Sequence, residues 1–385
     1  MYRAVCMCVF LCLASLGFSQ TPSAPVQVVY VIDGSTLTTY NIDSKTLQAT
    51  QVGTTALKQS VYPGITTSPD GHFVYYTAYQ DYSQDGEHLY VYSTDNSGIP
   101  GSSPVQTMSV TRFLALQVDP TGQYLYVVHE DTPGSQYTTY IIKRYLIDAT
   151  TGKLSQPVTE ASYKLDSVVS AVDCSLSITG MNLVGTELYD AVICSYPHGG
   201  ISATYYKRTV NTQTGALGPD QQVYSFNNNS GETNYQVQFM KNLMFVLVSP
   251  NVYPPDNTVD VYSLSNTKNP QISCTSSMVA NCASDFYEVV HPSAQYLFLI
   301  NPQTYATDID KVKLNSKQMV ATSSTIPYEV EQFSPDGKIA YAANDVNGAV
   351  DIEIYGFNTS NAQVTTGGLI YVPSGLDPWF AAERR

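Results

Sequence analysis

Ser68-Pro69-Asp70-Gly71-His72-Phe73-Val74-Tyr75-Tyr76 decides the fold. Proline presets φ, the aspartate side chain bonds the backbone ahead of it, and glycine accepts positive φ, so the first four residues make a tight turn. The β-branched and aromatic run behind it leaves the turn as a strand. The phrase recurs as Asp119-Pro120-Thr121-Gly122 before Tyr124-Leu125-Tyr126-Val127-Val128, and as His291-Pro292-Ser293-Ala294 before Tyr296-Leu297-Phe298-Leu299-Ile300. It recurs again as Ser334-Pro335-Asp336-Gly337 before Ile339-Ala340-Tyr341-Ala342-Ala343-Asn344. A supersecondary unit repeating at about 40–50 residues points to a propeller or a solenoid.

Around each phrase the sequence supplies four strands, the antiparallel blade of a propeller, named a to d from the axis outward. In the clearest case strand a spans 64–67, b 72–79, c 88–93 and d 105–110, with Asp95-Asn96-Ser97-Gly98 as the c–d turn. The blade at 168–217 is degenerate, with strand a read at 168–174. The ends complement one another. Segments 26–32, 36–42 and 47–52 read as strands b, c and d with no a before them, and 377–383 reads as an a strand with no b after it. Pairing them closes a ring of seven blades and removes an exposed sheet edge. The expected fold is all-β, a seven-bladed propeller with four-stranded antiparallel blades, sealed by its C-terminal strand.

The chain has 385 residues. Arg3, an apolar run over 5–16 too short to span a bilayer, and small residues Gly17 and Ser19 read as a secretory signal peptide over 1–19 cut before Gln20. Residues 20–385 are then one domain, secreted or periplasmic. No other stretch is long and apolar enough for a transmembrane helix. The formal net charge of −14 repels nucleic acid and anionic membranes and names no partner. A monomer is expected.

Cys174, Cys194, Cys274 and Cys282 remain after cleavage, an even number in an exported chain. Three pairings are open, as is a set of buried thiols. Proximity favours Cys274–Cys282, and placement across a hairpin near Val184 favours Cys174–Cys194. Neither pair has zinc-site spacing.

The turn at 334–337 with the strand ending Tyr341-Ala342-Ala343-Asn344 resembles the YVTN-type repeat of seven-bladed propellers in the lactonase-like superfamily, which includes 6-phosphogluconolactonase-like proteins. The resemblance covers nearly the whole mature chain. It implies the propeller fold, and an activity on a lactone or sugar acid served by an Arg in an a strand before a His-Pro-Asn-Gly-like turn and an Arg-Gly-His-Asp-like run after a late b strand. This chain departs at both places. It has Phe286 near the first Arg, and Asn344-Asp345-Val346-Asn347-Gly348 in place of the run. A site for phosphate or carboxylate needs those cations.

In a propeller the d–a and b–c connections share one face around the channel. The sequence places there His129, Glu130 and His198 as candidate acid/base groups, and Arg112, Tyr235, Tyr328 and Asp345 as candidate binding groups. His72, His88 and His291 sit at turns or strand starts and read as structural. Asp308-Ile309-Asp310 reads as an acidic turn without calcium-loop spacing. No metal, phosphate-loop or nucleophile-elbow motif is present, a single Trp argues against a quinone-cofactor propeller, and no cofactor is expected. The expected function is that of an exported, non-catalytic binding or scaffold propeller whose partner is a small molecule, glycan or protein. The alternative is a lactonase-like hydrolase or isomerase.

Overall fold

A computed structural model describes residues 27–57, 64–78, 87–110, 113–130, 139–164, 175–195, 201–228, 233–250, 258–275, 288–300, 306–346, 349–372 and 379–384. They form seven four-stranded antiparallel sheets. Blade 1 holds β1 (Gln27–Asp33), β2 (Thr36–Ile42) and β3 (Ala49–Ala56). Blade 2 holds β4 (Gly64–Thr67), β5 (Phe73–Ala78), β6 (His88–Ser93) and β7 (Gln106–Ser109). Blade 3 holds β8 (Phe113–Val118), β9 (Tyr124–Glu130), β10 (Thr139–Leu146) and β11 (Val158–Lys164). Blade 4 holds β12 (Ser175–Val184), β13 (Glu187–Ser195), β14 (Ile201–Thr209) and β15 (Gln221–Asn228). Blade 5 holds β16 (Thr233–Met240), β17 (Leu243–Pro250), β18 (Thr258–Ser263) and β19 (Ile272–Thr275). Blade 6 holds β20 (Glu288–Val290), β21 (Tyr296–Ile300), β22 (Thr307–Lys313) and β23 (Gln318–Ile326), and blade 7 holds β24 (Glu329–Phe333), β25 (Ile339–Val346), β26 (Ala349–Asn358) and β27 (Gln363–Ile370). The last strand, β28 (Trp379–Arg384), returns to blade 1 and pairs antiparallel with β1, Ile32 opposite Trp379 and Gln27 opposite Arg384. The ring is thus sealed by the C-terminal strand, as the two incomplete ends of the sequence demand.

Two expectations change. The inner strand of blade 4 is β12, over 175–184 rather than 168–174. Its ladder with β13 shifts register between Ile178 and Met181, and its a–b turn lacks the proline found in the a–b turns of blades 2, 3, 6 and 7. Asp308-Ile309-Asp310 is not a turn but lies inside β22.

Each b strand is buried on both faces because alternate side chains enter different blade interfaces. Val28, Tyr30 and Ile32 pack with Val74 and Tyr76 of blade 2, while Val29 and Val31 pack with Tyr341 and Ile352 of blade 7. Among the described residues the core divides into seven such clusters, one for each interface around the ring.

Turn chemistry repeats too. Ser68 Oγ accepts the Phe73 amide at 3.0 Å and donates to Asp70 Oδ1, and Ser334 does the same with Ile339 and Asp336. Asp43, Asp95, Asp148, Asn211 and Asn358 each open a c–d turn by accepting amides two residues or more ahead. Tyrosines then tie blade to blade. Tyr30 donates to Gly98 O of the next c–d turn at 2.8 Å, Tyr126 to Gly215 O at 2.7 Å, and Tyr296 to Thr359 O at 2.7 Å. These latches account for part of the 31 tyrosines.

Candidate functional site

The a strands start, and the b strands end, on one face of the ring. The sequence reading assigns its candidates to that face. Arg112 and His198 lie outside the described residues, as do Phe286 and Asn347. Glu130, Tyr235 and Asp345 are placed by backbone only, Glu130 opposite Tyr140, Tyr235 opposite Val248 and Asp345 opposite Val350. His129 is 2% exposed, held in β9 between Phe113 and Ile141 of its neighbours. It is part of the wall of blade 3 rather than an open base at the mouth.

Tyr328 is better defined. It sits in the d–a connection between β23 and β24, packed against the cluster shared by blades 6 and 7. Its carbonyl accepts the hydroxyl of Thr307 at 2.7 Å, and Thr307 Oγ1 in turn accepts the Val330 amide at 3.1 Å. Thr307 is fully buried, so one side chain pins the connection to β22.

A polar network adjoins this point. Asn344, at the end of β25, donates from Nδ2 to Glu353 Oε1 at 3.1 Å, and Tyr355 donates its hydroxyl to Glu353 Oε2 at 2.7 Å. Burial, the bond to Glu353, and the charges of Glu353 and Tyr328 hold the Tyr355 hydroxyl far above its usual range, so it stays a donor. Both oxygens of Glu353 are engaged. The carboxylate orders the rim between blades 6 and 7 and offers hydrogen bonds, not a free base. The sequence singles out Asn344 as the head of the run at 344–348. Glu353 and Tyr355 escape that reading because they stand on a c strand, at i and i+2, where nothing separates them from ordinary alternation.

Asp310 is the other residue the sequence undersells. It is 2% exposed, opposite Leu297 on one side and Ala321 on the other. By alternation it shares a face with Val312, which packs on Phe245, Val259 and Cys274 of blade 5. Burial, with the charge of Asp308 added, pushes its carboxyl up to about 7. A carboxyl poised near neutrality marks many functional sites. Here the group lies inside an apolar interface, which is an obstacle to contact with substrate.

Two more polar groups are internal. Arg208 and Asp190 form a buried ion pair in blade 4, with the Arg208 guanidinium 5.9 Å from the centre of the Tyr206 ring. Of the cysteines, Cys274 is buried and Cys194 stands opposite Leu176, while Cys174 and Cys282 lie outside the described residues. Among the described residues no three His, Cys, Asp or Glu side chains gather to hold a metal ion. No helix among them is long and apolar enough to cross a membrane.

No known family model and no curated protein matches the chain. Solved structures do. A putative 6-phosphogluconolactonase from Bacteroides uniformis superposes with a TM-score of 0.59 at 13% identity, covering 93% of this chain and 100% of the other. The periplasmic gluconolactonase PpgL of Pseudomonas aeruginosa gives 0.58 at 13% identity over 92% and 99%. A protein from Lactobacillus plantarum gives 0.58 at 12% identity over 93% and 100%. At such identity the likeness is one of fold, and function is a matter for the site. The chain is a seven-bladed propeller with the architecture of these solved structures.

Proposed function

We propose that this protein is a binding or scaffold propeller of the cell envelope or extracellular space, exported by cleavage before Gln20. Its partner, a small molecule, glycan or protein, docks on the face where the b–c and d–a connections meet. One observation carries this reading. Where the resembling lactonases have cations, this chain has Phe286 and the run Asp345-Val346-Asn347. Phosphate or carboxylate held at a channel mouth needs charge-assisted bonds, and a neutral or acidic replacement removes them. The engaged carboxylate of Glu353 and the walled-in His129 agree with recognition rather than acid/base work. Disulfides Cys174–Cys194 and Cys274–Cys282 belong to the same proposal, since an exported chain can keep them.

The test is an assay of the purified mature chain on 6-phosphogluconolactone and on glucono-lactone. The expected result is no enzymatic hydrolysis. Turnover of about 1 per second or faster, abolished by His129→Ala, would overturn the reading in favour of a lactonase-like hydrolase.

A further inference from the structure

The face opposite the mouth carries the a–b and c–d turns, and its charge is uneven. In blades 2 and 3 those turns use Asp70, Asp95, Asp119 and Asp148 to bond backbone amides. The turns of blades 5 and 6, at 241–242, 264–271, 291–295 and 314–317, hold no Asp or Glu. They present Lys241, Lys268 and Lys317, with Lys313 at the end of β22, and Lys338 follows in the a–b turn of blade 7. All five are exposed. Among the described residues only Lys338 of the five has an ion-pair partner, Asp336 at 3.4 Å. The turns lie side by side. His291 bonds Gly337 O at 2.7 Å, and the charge of Lys241 acts on the His291 ring.

Backbone conformation marks two of these lysines. Among the described residues five other than glycine have positive φ. Leu47, Ala294 and Ala362 are buried, so packing offsets their strain. Lys241, with φ of 55°, and Lys317, with φ of 52°, are exposed, and no packing offsets theirs. In blade 4 glycine does the same work without strain. Gly185 stands where Lys241 does in a two-residue a–b turn, and Gly215 closes the c–d turn as Lys317 closes that of blade 6. A left-handed lysine held in solvent points to a partner outside the chain. Between Lys313 and Lys317, at the tip of the blade 6 hairpin, stands Leu314, 37% exposed, in the 3-10 turn Leu314–Ser316.

We propose that this basic sector docks the protein on an anionic lipid surface, with the lysine heads at the headgroup phosphates and Leu314 in the interface. Charge complementarity selects an anionic partner. The exposed leucine selects lipid, because a soluble polyanion rewards charge alone while a membrane interface also takes up apolar side chains. The net charge of −14 opposes docking only weakly, since carboxylates beyond about 8 Å are screened at physiological salt. Held by this face, the propeller turns its mouth away from the membrane. The proposal is independent of what the mouth binds.

The test is co-sedimentation of the mature chain, residues 20–385, with vesicles of phosphatidylglycerol and phosphatidylcholine in equal parts, and with vesicles of phosphatidylcholine alone. The mixed vesicles should bind the protein at least about tenfold more tightly than the neutral ones, and less tightly as salt is raised. The triple variant Lys241→Gly, Lys313→Gln, Lys317→Gly should lose about a hundredfold of that affinity, roughly fivefold for each lysine. It should melt no lower than wild type, because glycine relieves the two left-handed turns. Leu314→Ser should weaken binding to the mixed vesicles severalfold. Lys153→Gln, on the same face in blade 3, should leave it unchanged. Equal binding to both vesicles, no binding to either, a triple variant that binds like wild type, or a Lys153→Gln variant as impaired as the triple one would each overturn the proposal. Mixed-vesicle binding that Leu314→Ser leaves untouched would make the sector a site for soluble polyanions, and would overturn it as well.

Discussion

The imidazole Nε2 of His291 lies 2.7 Å from the carbonyl oxygen of Gly337, joining the a–b turn of blade 6 to that of blade 7. The other ring nitrogen fixes the tautomer. Nδ1 accepts the amide of Ser293 at 3.0 Å, so Nε2 must carry the proton and donate it. His291 thus does for its turn what Ser68 and Ser334 do for theirs, and reaches a neighbour as well. Gly337 has φ of +71°, and a Cβ there would stand 2.7 Å from Nε2, so the approach needs glycine.

This geometry sets a pH dependence. Burial among Phe298, Phe333 and Phe357 pushes the His291 pKa below its usual 6.5. The bond to Gly337 and the charge of Asp336 act the other way, and Lys241 acts with burial. The unfolded chain therefore binds the proton more readily. The contribution is whole above about 6.5 and is lost as pH falls toward the folded value. In urea denaturation the stability of the wild type relative to His291→Gln should decline as pH falls from 7.5 to 5. Equal slopes in the two proteins would exclude His291 as the cause. Turn carboxylates such as Asp43 and Asp148, held low by the amides of Thr46 and Thr151, act only below their usual 3.8 and leave this window clear.

Asp310 opposes His291 over the same range. Its folded pKa is raised to about 7 from 3.8, so the folded chain holds the proton that the unfolded chain has lost. Its cost is absent below about 4 and grows as pH rises to 7. Asp310→Asn should therefore stabilise the protein by about 1–3 kcal/mol at pH 8, less than the full shift would give because an amide also needs partners, and by little at pH 4. Destabilisation of the variant at pH 8 would mean that the ionised carboxylate is wanted where it stands.

The latches between blades carry their own test. Tyr126 donates to Gly215 O, and Gly215 has φ of +68° with its Cβ direction 2.6 Å from the ring of Tyr124. Tyr126→Phe should cost about 1–2 kcal/mol, a hydrogen bond with its carbonyl left buried. Gly215→Ala forces both a left-handed alanine and a clash with the ring, and should cost more than Tyr126→Phe in parallel chemical denaturation. The reverse order would show that the turn can shift away.

Residues with paired local and global meaning were the legible ones. Pro69-Asp70-Gly71 punctuates a strand and also fixes where a blade begins, so the turns reveal the ring and its count. The mouth was not legible in this way. A candidate such as His129 is placed by the register of β9, and alternation alone does not say whether an end-of-strand residue faces the channel or the next blade. Glu353 and Asp310 owe their character to partners far away in sequence, Asn344 and the blade 5 cluster, which no local pattern announces. Blade 4 resists a sequence reading for the opposite reason: its β12 carries a bulge and no punctuating turn.

The sharpest prediction concerns closure. Strand β1 is buried on both faces, Val28, Tyr30 and Ile32 toward blade 2 and Val29 and Val31 toward blade 7. Its inner edge is covered only by β28, through a ladder running from Ile32–Trp379 to Gln27–Arg384. Strand β28 also neighbours β4, so it is the contact by which blade 1 meets the axis. Deleting 379–385 uncovers the backbone donors and acceptors of β1 in a place built to exclude water, and leaves an apolar edge open to pairing with another chain. Terminal residues are ordinarily trimmed at no cost. Here the truncated protein should melt several degrees lower or aggregate, as expected for a loss of more than about 2 kcal/mol in a chain of this size. The same deletion with residues 379–384 supplied as a separate peptide should recover part of the loss, because the ladder needs the strand and not the covalent link. A truncated protein that stays monomeric and melts within about a degree of the full-length one would show that seven blades hold without the seal.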